Sequence, residues 1–313
     1  MALFLGIDVG TSGTKTLLID ENGQVISSAT GTYPLYTPKA LWAEQNPEDW
    51  WQATVETVRR VLSGVDAADV GGIGLSGQMH GAVFMDEGNR VLCPSIIWCD
   101  QRTGEECRWI TEHVGADNII RETCNPSLTG FTAGKIVWLR NHEPETYAKV
   151  RKVLLPKDYI RFRLTGEFAT DVSDASGTAL FNVKKRRWSG EMLAGAGIPA
   201  DWMPPVYESP EITGRVSETA AGLTGLSPGT PVAGGGGDQA AGAVGNGVVE
   251  TGIISSTIGT SGVVFAFADE PVVDPKLRLH TFCHAVPGKW HVMGVMLSAG
   301  LRGWGKERRL AAG

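Results

Sequence analysis

Residues 3–20 read LFLGIDVGTSGTKTLLID, two apolar runs on either side of a Gly-Thr-Ser-Gly turn. That pattern predicts a β-hairpin with a polar tip. Asn22-Gly23 turns the chain into a third predicted strand, 24–32. Asn46-Pro47-Glu48-Asp49 supplies a cap residue, a proline for the first helical position and acids for the first turn. Trp51, Val55, Val58 and Leu62 then recur at helical spacing and predict a helix over 50–62. Strands are expected at 70–76 and 82–85, around the loop Gly77-Gln78-Met79-His80-Gly81, and a further strand approaches Trp98. Helical patterns dominate 101–165. The proline-rich stretch 204–210 and Ser227-Pro228-Gly229 mark loops ahead of a strand at 231–234. Gly234 to Gly237, four glycines that let the backbone approach a ligand closely, and Asp238 then open a small-residue helix reaching about Gly245.

The first hairpin has a second copy. Residues 252–269 read GIISSTIGTSGVVFAFAD, and an offset of 249 residues superposes the two Gly-Thr-Ser-Gly turns and places Asp269 on Asp20. One such turn is common; two with apolar strands on both sides predict a duplicated domain with a cleft between the copies. The first copy is expected to occupy 1–247 and the second 248–313, with strands at 250–258, 262–268, 280–286 and 290–297 and a helix starting at Ser298. At that length the second copy is expected to be partial, the given chain being a truncated form.

Charge and composition remove several classes. The 28 Lys+Arg against 34 Asp+Glu give a net charge of −6, without the basic footprint of a nucleic-acid binder. The longest basic cluster, Lys184-Lys185-Arg186-Arg187, reads as a solvated loop. No apolar run approaches the ~20 residues of a membrane span. The apolar stretch 2–7 has no Lys or Arg and runs into Asp8, unlike a signal peptide. The cysteines number 5, an odd count, and lack Cys-x-x-Cys spacing. That argues against zinc and suits a reducing cytoplasm.

Four segments carry candidate chemistry. Asp8 ends a strand just before Gly10-Thr11-Ser12-Gly13, with Lys15 beyond. The turn is either a plain hairpin or a phosphate-facing loop whose N–H groups and hydroxyls meet phosphate oxygens, with Asp8 holding Mg²⁺ through water. The repeat favours the second reading. The P-loop pattern G-x-x-x-x-G-K-[ST] is absent. Asp238, after four glycines and before Gln239, is either a helix cap or an acid placed to accept a hydroxyl proton. His80, in a glycine-flanked loop, is an accessible hydrogen-bonding group, though taken alone such a residue reads as a satisfied loop histidine rather than a ligand. Asp100 and Arg102, two residues apart, are equally consistent with a surface ion pair of little worth.

Together these segments resemble the FGGY carbohydrate kinases. The matching residues are Asp8-Val9-Gly10-Thr11-Ser12-Gly13, Gln78-Met79-His80-Gly81, Trp98-Cys99-Asp100-Gln101-Arg102 and Gly236-Gly237-Asp238, supported by the runs 41–48 and 154–159. The Met79-His80 pair resembles the xylulokinase branch; the glycerol-phosphorylating members of the family carry an Arg-Glu pair in that loop instead. The likeness extends to about residue 299 and departs at Leu301.

The resemblance implies an α/β architecture: a duplicated ribonuclease H-like fold of the actin/hexokinase type, with sugar and ATP in the cleft. It implies ATP-dependent phosphorylation of the terminal hydroxyl of D-xylulose in the cytoplasm, with the given, truncated chain expected to be weakly active or inactive, and leaves a homodimer open. By position, Asp238 would take the hydroxyl proton. Met79, His80, Asp100 and Gln239 would contact the sugar. Asp8 would act on Mg²⁺ and phosphate. Thr11, Ser12 and Gly13 would face the phosphates from one domain and Thr260 from the other. Two other readings remain at this point: a sugar-binding module without catalysis, and a kinase for another sugar or polyol.

Overall fold

A computed structural model describes residues 2–258 and 262–296. Strands β1 (Leu3–Val9), β2 (Gly13–Asp20) and β3 (Val25–Thr32) form an antiparallel meander. Helix α1 (Pro47–Val61) carries the chain back so that β4 (Val70–Gly77) lies parallel to β1. Strands β5 (Ile212–Arg215) and β6 (Pro231–Ala233) extend the sheet beyond β4, and the short β7 (Gly236–Gly237) also pairs with β4 in parallel. The order is thus β5-β6-β4-β1-β2-β3. Parallel pairing demands a crossover, and α1 supplies it.

The hydrophobic pattern explains the packing. Leu3, Leu5, Ile7 and Val9 alternate onto one buried face of β1, and Trp50, Trp51, Val58 and Val61 of α1 share a core with them. Asn46 caps α1 by accepting a hydrogen bond from Glu48 N at 3.1 Å. Asn46→Ala should therefore lower stability by about 1 kcal/mol. Urea unfolding showing no shift in midpoint would mean that Pro47 and packing alone hold the helix start.

Helices α2 (Thr132–His142) and α3 (Pro156–Thr165) lie within the stretch read as helical, but Lys152–Leu154 between them is a strand paired with Val83–Met85. The strand expected before Trp98 shrinks to Ser95–Ile96, paired with Glu44–Gln45. Helix α4 (Asp238–Gly245) follows β7 directly. A second sheet then forms from β8 (Ile254–Ile258), β9 (Gly262–Ala268), β10 (His280–Cys283) and β11 (Trp290–Met296), in the order β8-β9-β11-β10. β8 and β9 pair antiparallel from Ile254↔Ala266 to Ile258↔Gly262, reproducing the first hairpin. The helix start expected at Ser298 lies outside the described residues.

Phe265, Phe267, Phe282 and Met293 of this second sheet share one buried core with Ile136, Val137 and Leu139 of α2. The basic cluster is only partly the solvated loop expected. Arg186 grips Glu208 with two nitrogens at 2.7 and 2.6 Å and donates to the Lys289 carbonyl at 2.9 Å. Among the described residues no helix is long and apolar enough to cross a membrane, and all five cysteines are free thiols.

Candidate active site

Where the first sheet meets the second, a cavity of about 400 Å³ opens between the loop after β4, the start of α4 and strands β9–β11. Met79, His80, Asp238 and Gln239 line it, joined by Trp98, Gln101, Thr129, Phe131, His280 and Phe282. Four residues singled out from the sequence therefore converge although 160 positions separate Met79 from Gln239. Glycines permit the approach. A Cβ at Gly237 would lie 2.8 Å from Met79 Sδ, and one at Gly177 would lie 2.5 Å from His80 Nδ1. A real Cβ does not approach a non-bonded heavy atom that closely, so a side chain at either position would displace Met79 or His80.

His80 adopts a left-handed backbone (φ 69°). Its Nδ1 lies 2.7 Å from the Gly177 carbonyl, which only accepts, so Nδ1–H donates and Nε2 keeps its lone pair. Burial, with the charge of Lys135 nearby, pushes its pKa down to about 3, so the ring stays neutral. His280 arrives from β10. Asn125 Nδ2 donates to the Thr123 and Thr281 carbonyls, which leaves its Oδ1 to accept from His280 Nδ1 at 3.2 Å. Both histidines thus keep an Nε2 lone pair and line the cavity, a set that suits hydroxyl donors. The sequence reading missed His280; no local pattern marks it.

Asp238 is the first residue of α4, and Gly237 occupies the cap position, so the aspartate is not the helix cap. Its Oδ1 accepts from Gln239 N at 2.7 Å. Burial, with a smaller contribution from Asp8, raises its pKa to about 6. A carboxylate tuned this close to neutrality is a competent base. Asp8, across from Ser76 on β4, has an oxygen, Oδ1, that is buried without a hydrogen-bond partner among the described residues, and burial raises its pKa.

The glycine-threonine turn is tied to the cavity wall. Trp98 Nε1 donates to Thr11 Oγ1 at 2.9 Å, and Thr11 Oγ1 donates to Gln78 Oε1 at 3.3 Å. Gln45 Nε2 donates to the Thr11 carbonyl at 2.7 Å, while Gln45 Oε1 accepts from Trp50 Nε1 and Gln78 Nε2. Ser12 stands exposed at the tip, and Gly13 begins β2 opposite Thr32. Thr260 lies outside the described residues.

Asp100 has a different setting from the surface ion pair considered above. It is fully buried and does not line the cavity: Ala43 N donates to Oδ2 at 2.6 Å, and Arg102 Nε and Nη2 donate at 2.9 and 2.7 Å. Arg102, with its side chain 2% exposed, also pairs with Glu44 and lies 3.6 Å over the Trp42 ring. In this geometry Asp100 braces the wall that carries Trp98, and its oxygens are already engaged.

Beneath α4 lies a buried charge cluster. Lys157 Nζ is 2.5 Å from Asp158, 2.9 Å from Asp171 and 3.6 Å from Asp174, all fully buried. Asp171 Oδ2 accepts from Ser173 and Ser209, and Ser173 Oγ accepts from Gly237 N at 3.1 Å, next to the aspartate of the site.

The hairpin-led sheet, the acid at a glycine-lined helix start and the turn beside it define a class of protein. Residues 3–245 match the N-terminal domain of the FGGY family of carbohydrate kinases, and the chain belongs to that family. It is 45% identical to the xylulose kinase of Escherichia coli over 297 residues, which is 95% of this chain and 61% of that protein. It is 43% identical to the xylulose kinase of Bacillus subtilis over 302 residues, 96% of this chain and 60% of that one. The crystal structure of xylulose kinase from Rhodospirillum rubrum superposes with a TM-score of 0.91 at 29% identity, covering 95% of this chain and 61% of that chain. The chain spans about three-fifths of the length of these relatives.

Proposed function

We propose that the cavity binds D-xylulose and that the chain supplies the sugar site, the base and one phosphate turn of an ATP-dependent sugar kinase. The observation that carries this reading is Asp238, a carboxylate raised to about 6 at the wall of a cavity whose histidines keep acceptor nitrogens. Neutral rings, an amide and an indole suit the hydroxyls and carbon face of an uncharged sugar better than a charged ligand. The named relatives, all xylulose kinases, support this choice of sugar.

In the reaction, the terminal hydroxyl oxygen attacks the γ-phosphorus of ATP as the bond to the β,γ-bridging oxygen breaks, leaving ADP. Asp238 takes the hydroxyl proton. Met79, His80, Gln239 and Trp98 hold the sugar so that one hydroxyl faces Asp238, and such positioning supplies much of the rate in phosphoryl transfer. Asp100 acts on the sugar only indirectly, through the wall it braces. Thr11, Ser12 and Gly13 face the phosphates from the turn. The partnerless buried oxygen of Asp8 fits water-mediated contact with Mg²⁺, which when bound neutralises phosphate charge.

Titration calorimetry with D-xylulose, D-ribulose, D-gluconate and glycerol tests the sugar assignment, and D-xylulose should bind most tightly. Preference for another of the four would replace it. His80→Ala should weaken D-xylulose binding roughly two- to tenfold, the worth of one hydrogen bond to a neutral hydroxyl. Unchanged affinity would remove His80 from the site. Xylulose-dependent ADP release that disappears in Asp238→Asn distinguishes a kinase from a module that only binds sugar.

A further inference from the structure

Lys135 projects from α2 into the interior and is completely buried. Among the described residues no carboxylate lies within ion-pair distance of it. Its Nζ instead donates to two main-chain carbonyls, His80 at 2.6 Å and Gly130 at 2.7 Å. Thr132 Oγ1 donates to the same His80 carbonyl at 3.1 Å. An ammonium taken out of water without a counter-ion is expensive, and an apolar side chain of similar length would serve packing better there. Burial draws its pKa down to about 7, the nearby Asp100 opposing the shift.

The two carbonyls say what the charge is for. His80 and Gly130 belong to different loops, one after β4 and one leading into α2, and both line the cavity. His80 sits in the left-handed region, a conformation that a residue with a Cβ holds only when its surroundings enforce it. Its ring packs on Phe131, centroids 4.8 Å apart, so the two loops meet at the side chain as well as at the carbonyls. Lys135 Nζ is where the two loops are joined by hydrogen bonds.

We propose that Lys135 is a positioning residue that clamps the His80 and Gly130 loops together, holding the left-handed His80 backbone and so the orientation of its ring toward the sugar. The proposal rests on reading the cavity as a sugar site. Lys135 does not itself line the cavity and acts on the sugar through the two loops it joins.

The test compares the full 313-residue chain with Lys135→Met and Lys135→Arg. Three quantities are read: melting temperature, amide hydrogen exchange and D-xylulose affinity. Lys135→Met should keep or raise the melting temperature, because it replaces a buried charge with an apolar chain. Exchange should accelerate about tenfold or more at Gly81, Ala82 and Phe131 and stay unchanged in β1–β3. Affinity for D-xylulose should fall about tenfold, the scale of one charge-assisted hydrogen bond, and Lys135→Arg, which keeps donors, should recover part of it.

Unchanged exchange at those three amides overturns the clamp. So does a uniform acceleration together with a lowered melting temperature, which would make Lys135 a general stabiliser. If Lys135→Met does not fold, the wild-type chain carrying ¹³C at lysine Cε decides. A shift of the Lys135 resonance on saturation with D-xylulose supports the clamp, and no shift refutes it. If the wild type binds none of the sugars, the sugar reading fails, while the exchange data still decide whether the clamp exists.

Discussion

On the kinase reading proposed above, Asp238→Asn is expected to lower xylulose-dependent phosphoryl transfer about 10²- to 10⁴-fold, the range for losing a general base, while D-xylulose affinity stays within a few-fold. The substitution keeps an oxygen to accept from Gln239 N, so the start of α4 should survive, and the loss should fall on kcat rather than on binding. The wild-type pH profile follows from the same residue. The active form is the carboxylate, and burial raises the pKa to about 6. Below that value Asp238 is protonated and cannot accept; above it the base is available. The rate should therefore climb as pH rises through about 6 and level off near neutrality. A flat profile from pH 5 to 8, or an unchanged kcat in the variant, would show that Asp238 does no proton transfer.

The largest expected effect on stability belongs to Lys157→Met. The wild-type ammonium sits among Asp158, Asp171 and Asp174 with no exposure to solvent, and their charges hold its pKa well above the ordinary lysine range. Removing the cation leaves three buried carboxyls facing one another, and breaking such a cluster costs about 3–5 kcal/mol. The sign of the pH dependence is set by the carboxyls. Burial raises Asp158 and Asp174 in the folded protein, Asp174 strongly. In the variant, with the cation gone, the folded state takes up protons more readily than the unfolded chain. The deficit should therefore be full at neutral pH and shrink as pH falls toward about 4. Urea unfolding at both pH values measures this, and a variant within about 1 kcal/mol of wild type at pH 7 would show that the cluster is not ionised as described. Because Ser173 links Asp171 to Gly237 N, the damage should also reach the strand that delivers the base.

The legible parts of this protein are those whose chemistry is local. The apolar runs that flank the Gly-Thr-Ser-Gly sequence pair antiparallel in both copies, since turn residues and period-two alternation act within a few residues. Asn46, Pro47 and the first-turn acids start α1 where expected, because capping is settled by the residues at the helix end. The glycines before Asp238 were readable as a close approach. What they approach, Met79 Sδ, was not.

Asp100 and Arg102 show the limit of such reading. Two residues apart in sequence, they suit an exposed pair equally well, and only Trp42, Ala43 and Glu44, brought from a distant segment, turn them into a buried brace. His280 carries no local signature: its importance comes from Asn125, 155 positions away, which sets its tautomer. Lys135 reads as an ordinary charged position on a helix until the fold encloses it and hands it two carbonyls. The sequence by itself determined the hairpins, the capped helix, the repeat and the acids and hydroxyls available for chemistry, because those depend on neighbours along the chain. The tertiary structure alone decided which charges lost their water, which ring nitrogens kept a lone pair and which loops meet at the cavity. Desolvation and hydrogen-bond partnership arise between segments far apart in the chain, and they set the pKa values and the geometry on which the site depends.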